Sequence, residues 1–303
     1  MVVQGAFNLL FRPGLRRDFR DTYDQWETEY DDFLRVSTTT EPEQQATIMT
    51  GLNRLVERGD GEPITYFDPK MGPKVVGVDR EFAAGFIITR RTVEDDKYGK
   101  ANQGAKWLAH AARLTYEYRA AALLDDAFTG NFFRGIDNLP LIHTAHTLLN
   151  SSRTVANRPS SDIAFSIAGL TAIFDLAQTQ VDENGDPVRM WPDTLVIGNN
   201  AGDVNTALAI WNSTMEPFTA NNTDNVTRRR MPNPKLVISH YKSNPRSYFL
   251  IDSKYNDAHM VIRRRTEFDD TFDFETDAAK YKASTRFLVW FVDWKGWWGA
   301  NPT

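Results

Sequence analysis

Apolar positions change rhythm several times along this chain. Residues 1–58 read as an extended arm with helical pieces, because Tyr23, Trp26, Tyr30 and Phe33 or Leu34 recur at helical spacing among acids. A second short helix is predicted from about Glu41 to Arg58. Its expected cap is Thr40 with Glu43 three positions on, and Gly59-Asp60-Gly61 breaks it. Residues 62–98 switch to a strand-like pattern: Ile64 to Phe67, Lys74 to Val78 around a Gly72-Pro73 turn, and Gly85 to Thr89. Pro63, Pro69 and Pro73 suit edges and turns, not a central strand. An acidic knot follows, Val93-Glu94-Asp95-Asp96-Lys97-Tyr98-Gly99.

One long Ala-rich helix is predicted over 102–128, with Trp107, Ala111, Leu114, Tyr118, Ala121, Leu124 and Phe128 as its stripe. At 1.5 Å per residue it spans roughly 40 Å. Residues 129–159 are loop-rich. A second amphipathic helix carries Ile163, Ile167, Leu170, Phe174 and Ala177, with Ser161 or Asp162 as cap. Asn184-Gly185 signals a hairpin turn. Thr194 to Ile197 reads as a buried strand, and a short helix lies near Asp203 to Asn212. The last third is mostly β: Leu236 to Ile238, Tyr248 to Ile251, His259 to Ile262 and Phe287 to Val292. Without regular βα alternation, the fold class is α+β. The polar β-segment before the long helix is too long for a core hairpin. It is expected to find its burial partner on another copy of the chain.

Composition narrows the function classes. The 303 residues are 41% hydrophobic, enough for a sizeable core. A net charge of −5 argues against a free nucleic-acid binder, although a shell around DNA need not grip it. With no cysteine, disulfides, thiolate metal sites and a cysteine nucleophile are excluded. No apolar run reaches transmembrane length, and residues 1–11 lack the basic start and cleavage site of a signal peptide.

Candidate chemistry is thin. His143 and His146 lie three apart without the H-E-x-x-H pattern of a zinc protease, so hydrogen-bonded structural histidines are the simpler reading. Asp182, Asn184 and Asp186 mimic a calcium loop, but Pro187 stands where its glycine belongs and Asp193 where its glutamate belongs. Gly198 to Gly202 precedes a helix without the spacing or lysine of a phosphate loop, which favours a capping turn. Arg228 to Arg230 and Arg263 to Arg265 fit three uses. They are nucleic-acid contact, inter-subunit pairing with Asp269, Asp270, Glu275 or the acidic knot, and a solvated surface. Trp290, Trp294, Trp297 and Trp298 crowd the C-terminus and suit either an interface or a closing core strand. No catalytic site and no cofactor is expected.

The order of these parts resembles the major capsid proteins of tailed phages, the Hong Kong 97-type fold, and within it the Mu-like prophage major head subunit family. The passages that carry the resemblance are Arg90 to Gly99, Leu123 to Phe128, Gly135 to Leu148, Asn233 to Ser239, Tyr248 to Asp252 and Trp297 to Pro302. It covers roughly residues 59–303.

The resemblance implies an N-terminal arm over 1–58 and an extended β-hairpin loop over 59–99. A peripheral domain with a spine helix would take 100–158 and 259–292, and an axial domain 159–258 and 293–303. It implies a shell of hexamers and pentamers enclosing double-stranded DNA. Partners would be further copies, portal, scaffold and decoration proteins, and non-specifically packaged DNA, with no membrane. The chain would assemble in the host cytoplasm and reside in the virion. Some relatives cross-link a loop lysine to a neighbour's asparagine. Lys70 and Lys74 lie in the right region, but no matching asparagine is found, so no such cross-link is expected. Scaffold and protease are expected to be separate proteins. The candidate inter-subunit contacts are Lys70, Lys74, Arg90, Arg91, Glu94, Asp95, Asp96, Arg263, Arg264 and Arg265. The alternatives are an encapsulin-type nanocompartment shell, or a soluble α+β metal-dependent enzyme using His143 and His146.

Overall fold

The computed structural model describes residues 4–95, 100–220, 223–273 and 275–302. The chain opens with α1 (Gln4–Gln25), a 3-10 turn (Tyr30–Asp32), β1 (Arg35–Thr38), β2 (Glu43–Ala46), β3 (Val75–Val78) and β4 (Arg80–Thr89). Short α2 (Arg90–Glu94) leads to the long helix α3 (Lys100–Asp126). Next come β5 (His146–Thr147), β6 (Thr154–Val155), α4 (Ile167–Gln178), β7 (Thr194–Gly198), α5 (Ala201–Asn212) and α6 (Val226–Arg230). The chain ends through β8 (Lys235–Ser239), β9 (Tyr248–Ile251), β10 (Ala258–Asp273), β11 (Ala278–Phe291) and β12 (Trp297–Ala300).

Two four-stranded sheets organise the molecule. The first runs β1-β10-β11-β4, and the second β12-β9-β7-β8. In the first, β10 and β11 form a long antiparallel ribbon whose register shifts at Arg264. Such irregularity bends a strand and increases its twist. α1 lies against α3 and this ribbon: Leu15 and Phe19 join Ile88, Ala105, Leu108, Ala109 and Tyr281 in one buried cluster. In the second, β7 is buried along its whole length, as its unbroken apolar run requires. α4 and α5 cover it with Leu170, Ile173, Phe174, Ala207 and Ile210. A third cluster joins Tyr116, Leu123 and Leu124 of α3 to residues of both sheets, including Val196, Phe249, Met260, Phe287 and Trp297.

Four sequence expectations are corrected. Residues 41–58 are not helical: β2 pairs antiparallel with β3, and the chain beyond is extended. The ladder satisfies the backbone there, while Leu52, Leu55 and Val56 have nothing to pack on. Thr39, not Thr40, organises the turn, its Oγ1 accepting from Glu41 N–H (3.1 Å). Second, Gly72 is not at a turn: beside the Met49–Met71 bridge, its N–H donates across to Ile48 O (2.8 Å). It serves close approach, since a Cβ there would meet Leu149 Cδ1 at 2.8 Å. Third, the predicted stripe of α3 holds only at its C-terminal end, where Ala121 and Leu124 are buried; along the first turns the buried face lies on the other side. Ala105, Leu108, Ala109, Tyr116, Ala120 and Leu123 face the core, while Trp107 and Tyr118 are 65% and 58% exposed. Alanine lines the helix all round, so close sheet packing selects the small-residue face and excludes the large aromatics. Fourth, α4 starts one turn later than predicted, with Ser166 Oγ accepting from Gly169 N–H (3.2 Å). Asp162 instead accepts from Arg158 Nε (3.2 Å) and Asn301 N–H (3.1 Å).

Candidate assembly surfaces

The long excursion between β2 and β3 is the most unusual part of the surface. Its two legs stay together past the paired strands. Thr50 N–H donates to Lys70 O (2.9 Å), and Lys70 N–H returns a bond to Thr50 Oγ1 (2.8 Å). The outgoing leg touches the body at Gly51, whose carbonyl accepts from Asn184 Nδ2 (3.0 Å), and at Arg54, paired with Asp186 (3.0 Å). Every residue from 51 to 66 is exposed. Leu55 is 97% and Tyr66 88% exposed, and Leu52, Val56 and Ile64 are exposed as well. A run of apolar side chains without a core beneath it is a contact surface in waiting.

Within the expected 59–99 loop, two parts differ in their contacts. The stretch that no part of the chain covers is 51–66, while Thr50, Gly77 and Asp79 on either side are buried. Arg80 to Thr89 belongs to the first sheet, paired with β11 of the same chain from Phe287↔Arg80 to Ala278↔Thr89. The loop root is fixed by charge. Asp79, 9% exposed, accepts from Arg263 Nη1 (3.2 Å) and Arg286 Nη2 (3.1 Å).

The candidate contact residues separate accordingly. Lys70 and Lys74 are exposed on the returning leg. Arg90 lies 3.9 Å from Asp277, and Arg91 3.8 Å from Asp95 one helical turn on. Glu94 ends α2, and Asp96 lies outside the described residues. Arg263 serves the Asp79 clamp, and Arg264 binds Glu81 (2.7 Å) beside Glu267 (3.7 Å). The two are thus committed within the chain, to acids other than those expected from sequence. Arg265 is exposed. In the other triplet, Arg229 pairs with Asp224 (2.7 Å) and Arg230 approaches Asp175 (3.9 Å).

The remaining motifs resolve into structure. His146 is fully buried: Nδ1 meets Asp137 Oδ2 (2.6 Å), Nε2 meets Asn157 Oδ1 (3.2 Å), and its ring stacks on Trp294 at 4.1 Å. His143 Nδ1 accepts from Ala145 N–H (3.1 Å). Among the described residues no cluster of three His or carboxylate ligands is assembled. Asp182 Oδ1 accepts from Asn184 and Asp186 N–H (2.9 and 2.8 Å), closing a hairpin tip in which Gly185 takes φ +88°. Asn200 Oδ1 caps α5 by accepting from Gly202 N–H (2.9 Å). Trp294, Trp297 and Trp298 are core residues, at most 1% exposed.

Sequence reasoning missed three charged sites, all built from residues distant in sequence. The first is the Asp79 clamp. In the second, Lys295 Nζ is held by Glu183 and by Asp293 Oδ2 (3.1 Å). In the third, Glu117 on α3 is 5% exposed and accepts from Glu29 N–H (3.0 Å), while Glu29 accepts from His240 N–H (3.0 Å). Burial, with repulsion from Glu29 and Asp31, pushes the Glu117 carboxyl up to about 7.

A groove of about 460 Å³ opens beside the loop root, between β3, α3, the 132–134 segment and β11. Arg80, Arg119 and Arg134 line it together with Val78, Phe132 and Trp290, and no acid does. Arg119 lies over the Phe82 ring at 5.6 Å, and burial and the nearby Arg80 lower its pKa.

No family profile matches the chain, and no curated protein sequence does. Solved structures do. A structure from Microbacterium phage Oxtober96 superposes with a TM-score of 0.57 at 10% identity, over 92% of each chain. The capsid structure of the cyanophage P-SCSP1u gives 0.54 at 15% identity, over 90% of this chain and 87% of that one. A virus-like particle from Pyrococcus furiosus gives 0.53 at 10% identity, over 95% and 98%. The fold is α+β and of the Hong Kong 97 type, shared with phage capsid proteins along nearly the whole chain.

Proposed function

We propose that this chain is a major capsid protein, the shell-forming subunit of a tailed-phage head built of hexamers and pentamers around double-stranded DNA. The observation that carries the reading is the exposed stretch over 51–66: a fold common to shells extends an apolar segment that its own subunit does not bury. A neighbouring copy supplies the missing cover. The role is structural. Many modest interfaces of fixed geometry close a container, and multivalency makes the sum strong. The finer branch proposed is the Mu-like head subunit. Residues 100–158 and 259–292, with β4, form the peripheral domain around the first sheet. Residues 159–258 and 293–303 form the axial domain around the second. Portal, scaffold and decoration proteins and packaged DNA are the further partners, assembly takes place in the host cytoplasm, and the mature location is the virion.

Expression of the chain followed by sedimentation and negative-stain microscopy tests this. Regular closed particles or capsomer rings are expected. A folded, monodisperse monomer of 34.5 kDa at high concentration overturns the proposal.

A further inference from the structure

The loop needs a receptor, and the charge distribution of the chain indicates one. Residues 55–68 carry Glu57, Asp60, Glu62 and Asp68 against a single Arg58. This acidic run alternates with the exposed Leu55, Val56, Ile64 and Tyr66. The groove beside the loop root has the complementary character. Arg80 and Arg134 are exposed, Arg119 is half-buried, and none of the three has a carboxylate partner among the described residues. Arg119 rests on an aromatic ring and Arg134 Nε donates to a backbone oxygen, Gly130 O (2.8 Å). Phe132 stands 82% exposed at the rim. The buried Trp290 indole N–H in the wall lacks an acceptor among the described residues.

We propose that the arginine-lined groove of one copy receives the acidic tip, residues 55–68, of the next copy. This rests on the shell reading above and names the receiving surface for its loop. The guanidinium forks meet Glu57, Asp60 and Glu62. The apolar residues of the tip cover Phe132 and Val78. Donor and acceptor are different patches of one chain, so the contact is head-to-tail. Contacts of this type generate closed rings when the rotation closes. The groove lies at the foot of the loop, so each subunit in such a ring receives one tip where it extends its own.

A charge-reversal cycle tests the pairing. In the first variant Glu57→Lys, Asp60→Lys and Glu62→Lys are combined; all three sites are exposed. It is expected to fold with unchanged circular dichroism and to give at least tenfold fewer particles. Adding Arg80→Glu and Arg134→Glu in the same chain is expected to restore the yield. Because Arg134 also holds the 130–134 turn, a second test leaves the arginines in place. The chain has no cysteine, so Tyr66→Cys with Phe132→Cys creates one defined pair. A short bismaleimide applied to particles of this variant is expected to give a covalent ladder of dimers and higher multimers. Wild-type particles with neither rescue nor ladder overturn the groove assignment and leave the shell reading standing. A cross-link confined to the monomer band also overturns it, since the tip then occupies its own groove. A wild-type chain that stays monomeric removes both.

Discussion

The Glu117 carboxyl shows how one side chain can couple subunit stability to pH. It sits on α3 where the 3-10 turn and the 240–247 segment converge, accepting from Glu29 N–H with Glu29 and Asp31 nearby. Burial pushes it to about 7, against 4.5 for an unperturbed glutamate. The folded state therefore binds this proton more tightly than the unfolded state does. The cost of ionising it is absent below pH 4.5, grows between 4.5 and 7, and is complete above 7. Glu117→Gln keeps an acceptor for Glu29 N–H and removes that cost. In urea denaturation of unassembled subunits, the variant is expected to be more stable than wild type by about 1–2 kcal/mol at pH 8, allowing for solvent screening. The advantage should vanish near pH 4. A difference independent of pH would show that Glu117 is already neutral or fully compensated.

At the level of elements, legibility in the sequence followed the length and closure of each local signal. Asn184-Gly185, the buried run of β7, the extent of α3 and the strands near 236, 248, 259 and 287 were all readable, because turn chemistry or apolar run length decided them locally. The face of α3 was readable only near its C-terminal end, at Ala121 and Leu124, because alanine on every side left the choice elsewhere to the opposing sheet. The different pairing of neighbouring strands was not readable either: β3 and β4 are adjacent in sequence, yet β3 pairs with β2 and β4 with β11. Only a residue such as Asp79, clamped by Arg263 and Arg286 far downstream, marks the division. This boundary has a measurable consequence. Replacing 55–68 by a short Gly-Ser turn is expected to leave circular dichroism and the melting temperature of the subunit unchanged while abolishing particles. Extending the excision through Thr89 strips β4 from β11 and removes Phe82, Phe86 and Ile88 from the packed face. At up to about 2–5 kcal/mol for each of these side chains, together with the lost β4–β11 ladder, that loss is comparable to a whole typical folding free energy. The longer deletion is therefore expected to unfold, and a folded product would place the loop boundary elsewhere.

Across the whole molecule, the two four-stranded sheets share a continuous core, and the C-terminal strand explains how. Successive side chains of a strand point to opposite faces. On β12, Trp297 enters the cluster shared by α3 and both sheets, while its neighbour Trp298 enters the cluster under α4 and α5. Polar contacts reinforce the seam. Trp297 Nε1 donates to Asn256 Oδ1 (2.8 Å), and Asn157 Nδ2 donates to Trp297 O (2.9 Å). The same Asn157 accepts from His143 N–H (2.8 Å), tying the loop after α3 into the joint. With one core running through both sheets, neither sheet can open without exposing the other. Trp297→Ala is expected to cost about 3–5 kcal/mol, the range for emptying a large aromatic site. The loss should appear as a single earlier transition, with tryptophan fluorescence and far-ultraviolet circular dichroism coinciding in urea. Two separated transitions, one for each sheet, would show instead that the parts unfold independently and that the seam at Trp297 does not couple them.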